Sequence, residues 1–273
     1  MVRFRQPPRR TSNDKWVGVA LGVVGVLLIA ALGGGAWWLR KSKEPLDADN
    51  CPRAGIRALH VIMIDRSDPI SSQQAQIVRQ QVRALKNDAR FGTRFDVYTF
   101  EGDTQNEMQP IIRVCAPGRP EEANEWIENP ELIRRRYEER FSAVLDRTLD
   151  DLLNVTSLDN SPIIESMRAA SITSLGPIPA GKIPISFTLV SDMVQHTKLV
   201  SHFKGEPNFA SLQKSQTWPL VRPDLKGAEV EVLYLLRPNA KRSGAPIQNR
   251  GHQVFWEQLI TASGGRVKLI RPI

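Results

Sequence analysis

Residues 16 to 39 run for 24 positions without a charged side chain. Nothing else in the chain constrains the fold as strongly. A segment in lipid must satisfy its backbone N–H and C=O groups internally, and a single segment does so only as a helix. At about 1.5 Å per residue a helix of this length spans a hydrocarbon core roughly 30 Å thick. Trp16 at one end and Trp37-Trp38 at the other mark the two interfaces. A cleaved signal peptide would be shorter and end in small residues, whereas this run ends in Trp-Trp-Leu-Arg-Lys. The expected organisation is a basic tail at 1–15, an uncleaved transmembrane helix at 16–39, a linker at 40–57 and one domain at 58–273. Gly18 and Gly22 form a GxxxG pair through which two anchors could approach as a homodimer.

The net charge of +8 belongs mostly to the membrane flanks. Residues 1–43 hold eight Lys and Arg against the single acid Asp14, leaving 29 basic and 28 acidic groups for the rest. A nearly neutral domain lacks the basic face of a nucleic-acid binder, so no nucleic acid is expected as a partner. Five basic side chains precede the anchor. Arg40, Lys41 and Lys43 follow it and are soon offset by Glu44, Asp47 and Asp49. That bias points to a cytoplasmic amino terminus and a periplasmic or other extracytoplasmic domain on an inner (cell) membrane, single-pass. In an oxidising compartment the only two cysteines, Cys51 and Cys115, are expected to form a disulfide.

The domain opens with Val61-Ile62-Met63-Ile64, continuous rather than alternating, as in a central parallel strand covered on both faces. This strand delivers Asp65 at its carboxyl end. Ala75, Val78, Val82 and Leu85 predict a helix at about 71–89. A strand follows at 94–100 and a short edge strand at 108–114, bounded by Pro110 and Pro117. After a polar, acidic loop, Asn129-Pro130 opens a long helix with Ile133, Tyr137, Phe141, Val144, Leu145, Leu149 and Leu152 on one face. Arg134, Arg135 and Arg136 lie beside Glu138 and Glu139, which predicts a solvated, salt-bridged face. A helix starts at Asn160-Ser161-Pro162, and a strand at 182–190 runs into Ser191-Asp192. Residues 193–226 read as a long surface loop with one helical turn, followed by a strand at 228–236, a helix at 249–263 and a strand at 266–270. The alternation predicts an α/β domain: a doubly wound, mostly parallel six-stranded sheet with one short antiparallel edge strand.

In the strand order 3-2-1-4-5-6 the first and fourth strands are neighbours, so Asp65 and Asp192 would meet in one crevice. Ser67 and Ser161 would complete an oxygen cage suited to Mg²⁺ or another divalent cation. Ser161 before Pro162 also reads simply as a helix N-cap. His196 and His202 lack the tight second ligand pair of a zinc site.

These residues resemble the von Willebrand factor type A domains and their metal-ion-dependent adhesion site over about residues 58–271. Asp65-Arg66-Ser67-Asp68-Pro69 matches two of the three positions of the first motif, Asp-x-Ser-x-Ser. Ser161 resembles the second-motif Ser or Thr, and Asp192 the third-motif Asp. Pro69 replaces the last hydroxyl, for which Ser71 or water could substitute. The resemblance implies a cation that takes an acidic group of a protein partner, hence binding rather than turnover. The leading expectation is a membrane-anchored extracytoplasmic binding module in an envelope or secretion assembly. A metal-free scaffold is the alternative. A metal-dependent phosphoester hydrolase fits less well, because position 67 is Ser where an Asp-x-Asp would need an acid. The chain also has no Gly-x-Ser-x-Gly elbow or nucleotide-phosphate loop.

Overall fold

The computed structural model describes residues 12–42, 44–100, 108–119, 121, 129–154 and 161–273. Most of the basic tail, most of the acidic loop between Pro117 and Pro130, and Asn160 lie outside the described residues, as do the side chains of Trp37 and Trp38. The chain divides into two units, Met1–Pro45 and Leu46–Ile273.

The first unit carries one helix, α1 (Ser12–Ser42). Within it, Trp16–Gly35 is long and apolar enough to cross a membrane. Its large apolar side chains from Val17 to Leu32 are exposed all round, which is costly in water and favourable in lipid.

The second unit is built on a six-stranded sheet. Its strands are β1 (Ala58–Ile64), β2 (Thr93–Thr99), β3 (Ile112–Cys115), β4 (Ile185–Ser191), β5 (Glu229–Tyr234) and β6 (Arg266–Pro272). Their order is β3-β2-β1-β4-β5-β6. Neighbours pair in parallel, except β2 and β3, which run antiparallel. This is the expected doubly wound α/β arrangement, and it fits a von Willebrand type A-like architecture.

Helices cover both faces. Leu59, Val61 and Met63 of β1 join Phe187, Leu189, Val230 and Val232 beneath α4 (Ile163–Ala170) and α5 (Arg250–Ala262). Ile62, Ile64, Phe95 and Val97 pack on the other face. There they meet α2 (Ser72–Asp88) and the helical run α3, made of Pro130–Tyr137, a π turn at Glu138–Ser142, and Ala143–Leu153. The π turn has a visible cause. Ile133, Tyr137, Phe141, Leu145 and Leu149 recur every four residues, and in a helix of 3.6 residues per turn such a row drifts by about 40° per step. Taking in one extra residue turns the row back, and Phe141, Leu145, Leu149 and Leu152 all stay buried. The exposed face of α3 is salt-bridged as expected, with Arg134 on Glu131 and Arg135 on Glu139.

Three local expectations change. The edge strand is Ile112–Cys115 rather than 108–114, because Pro110 has no N–H to give the ladder. The strand expected at 182–190 begins at Ile185, just after Pro184. Residues 193–226 are more than a surface loop. They form the short helices Phe209–Lys214 and Trp218–Val221 and bury Met193, Phe209, Trp218, Val221 and Leu225. These apolar residues are spaced too widely for a periodic signature, and each finds its own gap in the core.

Cys51 and Cys115 are disulfide-bonded. The amide of Cys115 also donates to the Asp49 carbonyl at 2.9 Å. Together they fasten the segment preceding β1 to the edge strand.

Candidate functional site

The site forms where β1 and β4 end. Their register pairs Ile64 with Val190, so the next residues, Asp65 and Ser191, stand side by side at the carboxyl edge of the sheet. The Asp65 amide continues the ladder by donating to the Val190 carbonyl at 2.8 Å. The Asp65 side chain is 3% exposed and gathers three hydroxyls. Ser67 donates to Oδ1 at 2.7 Å, Ser191 to Oδ2 at 2.7 Å and Ser161 to Oδ2 at 3.2 Å. The Ser67 amide adds a fourth bond to Oδ1 at 2.9 Å.

Asp192 follows Ser191 directly and is 5% exposed. Its Oδ1 accepts the Val194 amide at 2.8 Å. Burial pushes its carboxyl up to about 7, and the negative charge of Asp65 adds to the rise. The Val194 amide and Arg237 oppose the shift without cancelling it. The turn after Asp192 is held in an uncommon backbone conformation, with Met193 at φ 60°. Three contacts brace it: the Met193 amide on Ser191 Oγ at 2.7 Å, the Trp256 indole on the Met193 carbonyl at 2.9 Å, and Gln248 on the Asp192 carbonyl at 2.9 Å.

Ser161 does not cap α4. Pro162 takes the N-cap position without a side-chain bond, and the Ile164 amide is satisfied by Gln195 Oε1 at 3.0 Å. Gln195 is fully buried, and its Nε2 donates to Glu165 at 2.7 Å. Backbone bonds in both directions between Ser161 and His196 complete the clamp. The N-cap reading of Ser161 therefore gives way to a Ser161 hydroxyl turned onto Asp65. Ser71 is not free to replace the missing hydroxyl at Pro69, because it forms a capping box with Gln74 at the start of α2.

The structure thus brings together the four residues singled out from sequence. It adds Ser191 as a ligand of Asp65 and Gln195 as the clamp between the two loops. Ser191 was missed because only sheet register shows that it lies beside Asp65. Its one sequence signal is that it ends an apolar run, as Asp65 does.

The donor set consists of oxygens alone, two of them on buried carboxylates whose mutual repulsion a positive charge would relieve. That chemistry suits a hard divalent cation held by Asp65, Ser67, Ser161 and Asp192. Among the described residues no three His, Cys, Asp or Glu side chains cluster as a metal site, so hydroxyls or water would have to complete the shell.

Comparison with protein-family models finds no match, and comparison with curated proteins finds none. Among solved structures the chain is similar to an aerotolerance-related membrane protein from Bacteroides fragilis NCTC 9343 bearing multiple mutations to serines. The two share 11% sequence identity at a TM-score of 0.34, over 80% of this chain and 92% of that one.

Proposed function

We propose that this chain is a membrane-anchored, extracytoplasmic protein-binding module, in which Mg²⁺ or another divalent cation at Asp65 and Asp192 takes an acidic side chain of a protein partner. One observation carries the reading. Two buried carboxylates meet at the ends of neighbouring strands, and burial beside Asp65 raises Asp192 to about 7. A cation would supply the charge that this pair lacks. The bound cation would act as a Lewis acid toward a carboxylate, while Ser67 and Ser161 orient the Asp65 oxygens. A cytoplasmic amino terminus and a domain outside the inner membrane agree with the flanking charge and with the Cys51–Cys115 bridge.

A metal-free scaffold is the second reading, and it has its own observation. Ser67, Ser161 and Ser191 already satisfy Asp65, and a protonated Asp192 would leave the crevice stable without a cation.

Calorimetric titration of Mg²⁺ and Mn²⁺ into the full chain in detergent micelles, wild type beside Asp192→Ala, separates the two. Saturable binding lost in the variant supports the cation site. A folded wild-type chain that takes up neither ion leaves the scaffold.

A further inference from the structure

At the opposite end of the sheet lies a cavity of about 620 Å³. It opens on the face that carries His60, Ser186, Thr188, Glu229 and Glu231. Strand register sets their rows: His60 beside Ser186 and Ser186 beside Glu229, then Ile62 beside Thr188 and Thr188 beside Glu231. The β5 segment Glu229-Val230-Glu231-Val232 alternates, turning its acids to the cavity and its valines to the core.

Glu231 is the decisive group. It is only 7% exposed and lines the cavity. Among the described residues it makes no hydrogen bond or ion pair, whereas the nearby Glu229 pairs with Arg266. Its carboxylate lines the cavity without a donor among the described residues, so a bound ammonium would find an open acceptor there. Around it stand Thr188, 3% exposed, and the hydrogen-bonded pair His60–Ser186. Lys182 and Lys268 line the same cavity, and neither takes part in a salt bridge among the described residues.

We propose that this cavity is a second ligand site, which takes a small zwitterion with its ammonium on Glu231 and its carboxylate on Lys182 and Lys268. A simple cation would meet the lysines, and a simple anion would meet Glu231; a molecule bearing both charges satisfies both ends. The volume lies within the range of small-molecule sites.

Three probes of nearly one shape test the two ends in the full chain in micelles: glycylglycine, its N-acetyl derivative without the ammonium, and its C-terminal amide without the carboxylate. Saturation-transfer NMR should show saturable binding of glycylglycine and at least about tenfold weaker binding of both derivatives, a difference of about 1.4 kcal/mol or more. Glu231→Gln should abolish the preference for the free ammonium, while Asp192→Ala leaves all three results unchanged. The proposal is overturned if glycylglycine does not saturate the folded wild type, or if Glu231→Gln binds it equally well. It is also overturned if Lys268→Ala and Glu231→Gln lower the thermal midpoint equally and non-additively without any probe binding. That pattern would mean that Lys268 closes onto Glu231 as an internal ion pair.

Discussion

The Asp65 carboxylate and the Ser191 hydroxyl meet at 2.7 Å across neighbouring parallel strands, 126 residues apart in the chain. The same hydroxyl accepts the Met193 amide at 2.7 Å, so one small side chain couples the first strand's carboxylate to the turn that carries Asp192. Ser191→Ala removes both bonds and leaves a buried amide and a carboxylate oxygen short of a partner. We expect a loss of about 2–3 kcal/mol, read as a fall in thermal midpoint on the order of 5–10 °C. A midpoint at the wild-type value would show that the hydroxyl couples nothing.

Asp192 should make the apo domain less stable as pH rises. Its folded value of about 7 lies above the ordinary aspartate value of 3.8. The folded state therefore holds a proton that the unfolded state releases, and its contribution, complete below about 4, is lost as pH rises through about 7. Asp192→Asn keeps the Oδ1 acceptor for the Val194 amide and removes the titration. The variant should be more stable than wild type at pH 7.5 without added cation, by up to roughly 4 kcal/mol. It should lose that advantage at pH 4. Thermal midpoints of both proteins across this range check the sign, and parallel curves would refute it.

His60 works in the opposite direction. Burial, followed by the charge of Lys268, lowers its value from 6.5 to about 4. Between those limits the unfolded state takes up a proton that the folded state refuses, so this contribution is present above 6.5 and lost as pH falls through 4. His60→Gln should remove this loss on the acid side, with a gain at pH 4 relative to its own neutral-pH deficit of about 3 kcal/mol at most. Because Asp192 and His60 pull oppositely over nearly the same window, wild type alone should show a shallow profile and the two variants opposite slopes.

Opening the disulfide should loosen a defined segment. Cys51 and Cys115 are 64 residues apart in sequence, for which chain entropy gives about 4 kcal/mol of stabilisation. Reduction, or Cys51→Ser with Cys115→Ser, should lower the thermal midpoint and speed hydrogen exchange at the Cys115 amide, which is bonded to Asp49. Retained protection there would mean that the backbone contacts suffice without the bridge.

The sequence alone determined what depends on short-range pattern. The uncharged run from Trp16 to Leu39 dictates a helix, because no partner for its backbone exists in lipid. The continuous apolar run Val61-Ile62-Met63-Ile64 before Asp65 dictates a strand covered on both faces, and a second strand running into Ser191-Asp192 repeats the carboxylate at its end. Asn129-Pro130 and the spacing from Ala75 to Leu85 place helices for equally local reasons. Tertiary structure decided what depends on register and packing. Whether Ser161 caps a helix or turns onto Asp65 was settled by Gln195, which satisfies the Ile164 amide from another loop. Ser191 reaches Asp65 only because β1 and β4 pair in one register, and a shift of one residue would turn it to the other face. The exposure of Glu231 to the cavity has the same origin: alternation in β5 shows which way it faces, but only the packed sheet shows that no described residue hydrogen-bonds or ion-pairs with it.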